Sequence, residues 1–276
     1  MSAQELKSSW QKIATIKKYG SIYKAFFRAS FIADLEFRSN FLIRIITDIF
    51  WYAAQITTFE VLFLHTQKIG DWNHAQTRVF LGMLFIIDAI FMIAFSENLD
   101  RLSEKVRKGD LDLILTKPIE SQFMVSLQKI NTALFGNLLL GILWFFFSLS
   151  QLPDFSWWRL LWLLIMIPCG VSVIYALRFC FSALAVIFAK SENVQFLWFQ
   201  IYKLAARPDS IYFPWLKFIL LTIVPVGMIA SVPARVLMDP QNFWFPAWAL
   251  VLSPTIIYLS HRFWNFCLKY YSSASS

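Results

Sequence analysis

Four charged residues interrupt long apolar runs of this sequence, and each needs a specific partner there. Asp88 lies midway through one run and Arg178 within another, while Asp48 and Glu60 lie near the two ends of a third. A charge at the centre of a bilayer costs about 2.5 to 3.5 kcal/mol on insertion scales, so we expect such groups to face protein, water or an opposite charge. We predict a structural ion pair between Asp88 and Arg178, with direct substrate contact as the alternative. We expect Asp48 and Glu60 to reach the membrane surfaces.

Residue types that often serve catalysis or bind metals are scattered along the chain: His65, His74, His261, Cys169, Cys180 and Cys267. Their spacing matches no common metal site, and we expect the cysteines to be buried, inert thiols. No phosphate-binding loop of the GxxxxGK type occurs, so the chain cannot bind and hydrolyse ATP by that route. The sequence therefore predicts no catalytic, cofactor-binding or metal-ligating residues, and energy from ATP must come through a partner.

The composition indicates which elements hold these residues. Hydrophobic residues make up 58% of the 276 residues and charged ones 15%, whereas charged residues are about a quarter of a typical soluble domain. A helical crossing of the bilayer needs roughly 20 apolar residues. Six runs approach this length, and because they are continuous we predict helices rather than barrel strands. They lie at residues 45–64, 79–95, 134–152, 160–189, 218–232 and 244–263, the fifth being shorter and broken by Pro225 and Gly227.

The distribution of lysine and arginine predicts the orientation. Residues 1–44 hold eight of them and residues 99–123 hold five, while the alternate loops hold one or two each. By the positive-inside rule, both of these segments are cytoplasmic, and so are residues 190–217 and the C-terminus. The net charge of +8 then reflects basic residues beside anionic lipid headgroups. Nucleic-acid binding is not expected.

The chain thus divides into a cytoplasmic N-terminal segment, a six-span transmembrane domain and a cytoplasmic tail, at residues 1–44, 45–268 and 269–276. In the N-terminal segment, small and apolar residues recur at steps of three and four: Ile22, Phe26, Ala29, Ala33 and Phe37. This spacing predicts an amphipathic helix along the membrane surface. A solvated extension of the first span is the alternative.

A dense polar stretch at residues 101–119 separates the second and third runs. Gly109 is placed to end one helix, and Asp110 can cap the next. Pro118 closes this second helix, because the residue before a proline is pushed out of helical geometry. Its small apolar face would consist of Leu111, Ile114 and Leu115. A short helix joined to spans on both sides can transmit a push from a soluble partner into the membrane.

This stretch resembles a family signature. Residues 106–119, VRKGDLDLILTKPI, are similar to the G-x-L-D-x-x-L-x-[KR]-P-[IV] pattern of permease subunits of ABC-2 type transporters. Residues 37–42, FRSNFL, resemble the approach to that family's first span. Residues 207–214, RPDSIYFP, together with the prolines at 225 and 233, resemble its fifth span. The resemblance extends from about residue 19 to residue 270.

The resemblance implies an all-α exporter permease with six transmembrane helices and an N-terminal interfacial helix. Such a half-transporter pairs with a second copy or a related permease and sits on two ABC ATPase subunits, which bind ATP and Mg²⁺. Residues 20–40 would form the connecting helix, and the segment between spans five and six would fold back into the outer leaflet. The residues carried over to the ATPase-coupling loop, within 99–123, are Arg107, Gly109, Asp110, Leu111, Asp112, Leu115, Lys117 and Pro118.

We therefore predict the non-enzymatic transport subunit of an exporter, surrounded by membrane lipids in the plasma membrane, the inner membrane of a bacterium. The substrate would be lipid-like, drug-like or a peptide. An ion-coupled secondary transporter, with Asp88 and Arg178 as its relay, is the first alternative, although no paired internal repeat supports it. A multi-pass lipid-modifying enzyme is the second, although the scattered histidines argue against it.

Overall fold

A computed structural model describes the fold of residues 3–36, 38–153, 155–188, 192–239 and 243–272. Almost all of the regular structure is helical, and the strands among these residues form one two-stranded hairpin. Three helical stretches of the described chain are long and apolar enough to cross a membrane, namely His74–Lys108, Thr132–Ser150 and Trp157–Val186. The prediction of an all-α membrane protein is confirmed at this level.

Thirteen helices and one hairpin follow one another along the described chain. They are α1 (Ala3–Glu36), α2 (Arg38–His65), β1 (Lys68–Ile69), β2 (Trp72–Asn73), α3 (His74–Phe91), α4 (Glu97–Asp100), α5 (Leu102–Lys108), α6 (Asp110–Leu115), α7 (Ser121–Leu127), α8 (Phe135–Ser150), α9 (Leu163–Ala183), α10 (Glu192–Ala205), α11 (Pro214–Thr222), α12 (Ser231–Met238) and α13 (Trp244–Leu268). A π-helical segment, Met92–Ser96, joins α3 to α4. Short 3₁₀ segments precede α8 and α9 at Thr132–Leu134 and Trp157–Trp162.

Helix α3 forms the centre of the bundle and packs closely on α8. A Cβ atom added to Gly82 would lie 2.7 Å from the Cα atom of Phe145, and one added to Gly141 would lie 3.2 Å from the Cβ atom of Phe85. Small residues on both helices thus bring the two backbones together, which is how helices gain packing contacts in a membrane. On its other side α3 contacts α9, which in turn packs along α13.

The bundle has two ends, which we name by their contents. The hairpin end holds β1 and β2, where Gly70 adopts a left-handed φ of 63°. The loop end holds α5, α6 and α7. Helix α3 runs from the hairpin end, where Asn73 and Gln76 cap each other's backbone N–H groups, towards Asp100 at the loop end.

Helix α10 corrects the placement of residues 190–217 in one cytoplasmic loop. Near its start, the Gln195 side-chain amide donates to the Asp100 backbone carbonyl at 3.3 Å, at the loop end. Beyond its C-terminus, Asp209 accepts a hydrogen bond from the Trp72 indole at 3.2 Å, at the hairpin end. Helix α10 and the residues up to Asp209 therefore extend from the loop end to the hairpin end, antiparallel to α3. The 14 residues of α10 include polar side chains, so the helix escapes a search for 20 apolar residues.

The predicted fifth run, residues 218–232, is not one helix. Helix α11 ends at Thr222, the chain turns through a 3₁₀ segment at Val226–Met228, and α12 begins at Ser231. Pro225 precedes the turn, and a proline cannot donate the backbone hydrogen bond that would continue a helix. The Trp248 indole of α13 donates to the carbonyl of Leu221 at 2.9 Å and so satisfies a group near the break.

Helix α1 contacts the rest of the protein through both apolar and polar side chains, and Phe26 packs against the core. The Ser30 hydroxyl accepts from the backbone N–H of Ile130 at 3.0 Å, and Asp34 accepts from that of Thr132 at 3.0 Å. Of the predicted apolar stripe, Ile22 and Phe26 are part-buried and Ala29 and Ala33 are exposed, whereas Phe37 lies outside the described residues. The exposed large side chains of α1 include Phe27, Phe31 and Ile32.

Candidate functional site

The polar stretch between α4 and α7 folds into two short helices separated by one glycine. Gly109 ends α5 in the left-handed conformation, with φ of 78°, and its N–H donates to the carbonyl of Val106 at 3.3 Å. Helix α6 then begins at Asp110 and ends at Leu115, three residues before Pro118. Asp110 makes no side-chain cap, contrary to the prediction. Its carboxylate lies in the first turn, where negative charge is favoured by the helix dipole.

The apolar residues of α6 are divided between the protein interior and the surface. Leu111 and Ile114 are buried, with 0% and 4% exposure, whereas Leu113 and Leu115 are 67% and 37% exposed. Sequence reasoning placed Leu115 with the buried pair and overlooked Leu113. In a helix of fewer than two turns the residues alternate quickly between faces, so spacing alone did not separate the two sets.

We call the exposed surface around α6 the docking face. It consists of Arg107, Asp110, Leu113, Leu115, Lys117 and Pro118, all exposed. Of the eight predicted coupling residues, Leu111 is buried and Gly109 and Asp112 are part-buried, so these three are not part of the docking face. An apolar centre with a charged rim is the usual anatomy of a protein–protein interface.

Helix α1 contacts the turn after α6, and the residues after α13 contact α6 itself. The ammonium group of Lys18 in α1 donates to the Pro118 carbonyl at 3.1 Å, and the Tyr19 hydroxyl accepts from the Glu120 N–H at 3.2 Å. The Tyr19 ring meets the edge of Phe123 with 4.8 Å between centroids. Tyr271, after α13, lies beside Asp112: burial first, and then this carboxylate, raises the pKa of Tyr271.

The predicted ion pair between Asp88 and Arg178 is not the one found. Arg178 is buried, with its guanidinium bonded to Asp100 and lying over the Trp198 ring at 5.9 Å. Asp88 and Asp100 are twelve residues apart, which separates them by about 18 Å along a helix. Arg178 lies near the loop end of α9 and therefore meets the second acid, not the first.

Asp88 instead shares a cavity with Asp48. The cavity has a volume of about 330 Å³ and lies among α2, α3, α8, α9 and α10. Asn137 donates to the Asp48 carboxylate at 2.6 Å, and the Tyr202 hydroxyl lies against Asp88. Asp48 thus faces this cavity, and its reach to a membrane surface stays a prediction. No spacing in the sequence pointed to this pairing, because the two acids belong to different helices.

A charged cluster closes the hairpin end. Arg235 binds Asp209 at 2.7 Å and Asp71 at 2.9 Å, and its guanidinium lies over the Trp72 ring at 4.8 Å. Lys217 adds a second cation to Asp209 at 2.9 Å. Burial opposes ionisation of Asp71, but hydrogen bonds from Arg235 and Ser210 prevail and lower its pKa to about 2. The cluster joins residues too distant in sequence for any motif to have shown it.

Of the other residues singled out from the sequence, Glu60 and His74 form ion pairs and the cysteines lie at least partly buried in the bundle. Glu60 pairs with Arg78 at 2.6 Å and with His74 at 2.9 Å. Cys169 and Cys267 are buried and Cys180 is part-buried, all as free thiols. Among the described residues, no group of three or more His, Cys, Asp or Glu side chains could hold a metal ion.

Comparison with known proteins identifies the family. The family model described as ABC-2 family transporter protein matches residues 49–275, which include the docking face and every helix from α3 to α13. No curated protein and no solved structure matches the chain. Because this match covers most of the sequence, the protein belongs to the ABC-2 transporter family and is a membrane permease of an ABC-type transporter, a family whose members work with an ABC ATPase.

Proposed function

We propose that this permease is one half of an ATP-driven exporter in the plasma membrane, the inner membrane of a bacterium. A separate ATPase, which binds ATP and Mg²⁺, docks on α6 and drives alternate exposure of a substrate cleft. The observation that carries the proposal is that the apolar side chains of α6 are divided between the core and the surface. Leu113 and Leu115 stand exposed beside basic side chains, while Leu111 and Ile114 fix the same helix into the core.

Six traverses of the bundle support a six-span arrangement. The helices that run between its two ends are α2, α3 with α4, α8, α9, α10 and α13. An even number returns the chain to the end at which it started, so α1 and the tail after α13 share the loop end. The exposed Arg107, Lys108 and Lys117 also lie there, which favours a cytoplasmic loop end by the positive-inside rule.

The contacts behind α6 provide a route for force. After α6, the chain enters α7, where Gln122 donates to the hydroxyls of Tyr175 in α9 at 3.0 Å and Ser260 in α13 at 3.3 Å. The Trp264 indole of α13 donates to Ser121 at 2.9 Å. A displacement of α6 would therefore move α7 against two helices that traverse the bundle.

Helices α1 and α2 expose apolar side chains that need a cover. Phe27, Phe31 and Ile32 on α1 suit the surface of a bilayer, as an interfacial helix requires. On α2, Ile46 and Phe50 are among the exposed residues, with 53% and 71% exposure. We assign this face of α2 to a second permease copy, or to a related permease, with lipid covering what the partner leaves open.

The test is whether an ABC ATPase from the same organism co-purifies with this chain. The double variant Leu113→Ala/Leu115→Ala removes the exposed apolar centre of the docking face but leaves the buried anchors intact. We expect the ATPase to bind about tenfold more weakly, since a loss of 1.4 kcal/mol produces that factor.

The matched control is Leu161→Ala. Leu161 is 66% exposed, almost as much as Leu113, but lies in the 3₁₀ segment before α9, at the hairpin end. ATPase binding should be unchanged in this variant. Full ATPase binding by the docking-face variant, or transport that persists without any ATPase, would contradict the proposal and favour an ion-coupled transporter.

A further inference from the structure

The cavity that holds Asp48 and Asp88 has the features of a ligand site inside the bundle. Its volume of about 330 Å³ falls within the range of about 300 to 1,000 Å³ that is usual for small-molecule sites. Its lining is mainly apolar, with the two carboxylates as its acidic groups. Asp88 is part-buried, because its side chain faces the cavity rather than the packed core.

Both carboxylates have neutral hydrogen-bond partners. Asp48 accepts from the Asn137 amide at 2.6 Å, and Asp88 lies against the Tyr202 hydroxyl. None of the ion pairs formed among the described side chains includes either acid. An unpaired carboxylate within the span of a membrane protein is costly, and a bound cation is one way to offset that cost.

Aromatic rings line the space around these acids. Trp51 and Tyr52 come from α2, and Trp198, Phe199 and Tyr202 come from α10. Ring faces attract cations, particularly where water is excluded. Two of these rings already contact a cation: Arg178 lies over Trp198 at 5.9 Å, and the Lys203 ammonium lies over Phe199 at 4.6 Å.

A second cavity adjoins the first, and the two together form a groove whose halves carry opposite charges. The volume of the second cavity is about 460 Å³, and it shares Trp51, Phe199 and Tyr202 with the first. Lys203 and Arg207 line it towards the hairpin end. A cationic ligand in the groove would be repelled from this half and drawn to the half with Asp48 and Asp88. Trp51 and Phe199, 46% and 44% exposed, form the rim through which a ligand would enter between α2 and α10.

We propose that this cavity binds the transported substrate, and that the substrate is an amphiphilic organic cation. Its charged centre lies between Asp48 and Asp88, and its apolar groups pack on the aromatic rings. This inference rests on the proposed function only in that it identifies the ligand as a transported substrate. Binding itself needs only the permease chain, so it can be measured apart from the ATPase.

The test uses the lipophilic cation tetraphenylphosphonium and the full-length permease in lipid nanodiscs. Binding is measured by equilibrium retention of labelled probe, with empty nanodiscs subtracted. Tetraphenylborate, a probe of nearly the same shape with the opposite charge, provides the control for lipid partitioning. We expect saturable binding of the cation but not of the anion. The variant Asp48→Asn/Asp88→Asn should bind the cation at least about tenfold more weakly, the factor that corresponds to 1.4 kcal/mol.

Glu104→Gln provides the matched control for the lost charge, because Glu104 pairs with Lys108 at the loop end and is remote from the cavity. It should bind like the unaltered chain. If the double variant fails to fold, Trp51→Leu, at the exposed rim, should weaken cation binding instead. Saturable binding of the anion, or equal cation binding by the double variant, would overturn the proposal. ATPase co-purification would be unaffected by that result, so the two proposals fail separately.

Discussion

Arg178 of α9 donates to the carboxylate of Asp100 at the end of α4. The arginine side chain is 6% exposed and the aspartate 49% exposed, so the pair closes the loop end of the core from the outside. The Ser96 hydroxyl also donates to Asp100 at 3.2 Å. The pair therefore joins α4 to α9 just before the chain enters the two short helices of the docking face.

Replacing Asp100 should destabilise the protein more than replacing Asp88. Asp100→Ala leaves the buried guanidinium of Arg178 without its carboxylate, and a lost hydrogen bond to a charged group costs about 1.5 to 3 kcal/mol. Asp88→Ala removes an acid that makes no ion pair among the described side chains. Thermal unfolding in detergent measures both variants, and an equal or larger loss for Asp88→Ala would contradict the assignment.

The hairpin end should lose stability in acid through Asp71. The pKa of this carboxyl is lowered to about 2, below its value of about 3.9 in an unfolded chain. Its contribution to stability is thus fully present above about pH 4 and is lost as the pH falls towards 2. Unfolding midpoints measured between these values should fall less steeply for Asp71→Asn. Parallel curves for the variant and the unaltered chain would show that the contact with Arg235 contributes nothing measurable.

Gly82 should not tolerate a methyl group. The added Cβ would lie 2.7 Å from the Cα atom of Phe145, so Gly82→Ala forces α3 and α8 apart, and overpacking of this kind costs about 1 to 3 kcal/mol. Gly136→Ala in α8 is the control, since the nearest atom there is 3.9 Å away. The midpoint of thermal unfolding should be lower for Gly82→Ala than for Gly136→Ala. Equal midpoints would mean that α3 and α8 can move apart at little cost in stability.

Gly109 should be needed for the shape of the docking face. With φ at 78°, an alanine there is strained, at a cost of roughly 1 to 2 kcal/mol, whereas asparagine adopts this conformation more readily. We expect Gly109→Ala to weaken the stimulation of ATP hydrolysis by the permease and Gly109→Asn to retain more of it. The steady-state rate of the reconstituted complex measures this. Equal rates for both variants would remove Gly109 from the coupling argument.

Long apolar helices were predictable and short ones with polar residues were not. The runs in α2, α3, α8, α9 and α13 were visible because a lipid-facing crossing needs continuous apolar residues. Helix α10 crosses the same bundle with Glu192, Gln195 and Lys203 in its sequence, because most of one face packs against protein. Hydropathy measures contact with lipid and therefore misses a helix that is partly screened from it.

Local motifs were predictable in the same way, and contacts across helices were not. Gly109 specifies a left-handed turn by its own chemistry, and the signature around it named the family that the match over residues 49–275 confirms. From the sequence, Arg178 was paired with Asp88 of α3, and Asp100, twelve residues further along the chain, was not considered. The choice of Asp100 depends on how far α9 extends along α3, which is a property of packing.

Helix α6 and the turn after it are contacted from two sides, by Lys18 of α1 at Pro118 and by Tyr271 beside Asp112. We expect a rearrangement of the docking face to change the spacing of these two positions, although neither belongs to the face itself. A pair of spectroscopic labels at Lys18 and Tyr271 would therefore test the proposed docking of the ATPase from outside the contact surface. The permease thus offers two positions, outside the docking face, at which a distance change can be measured.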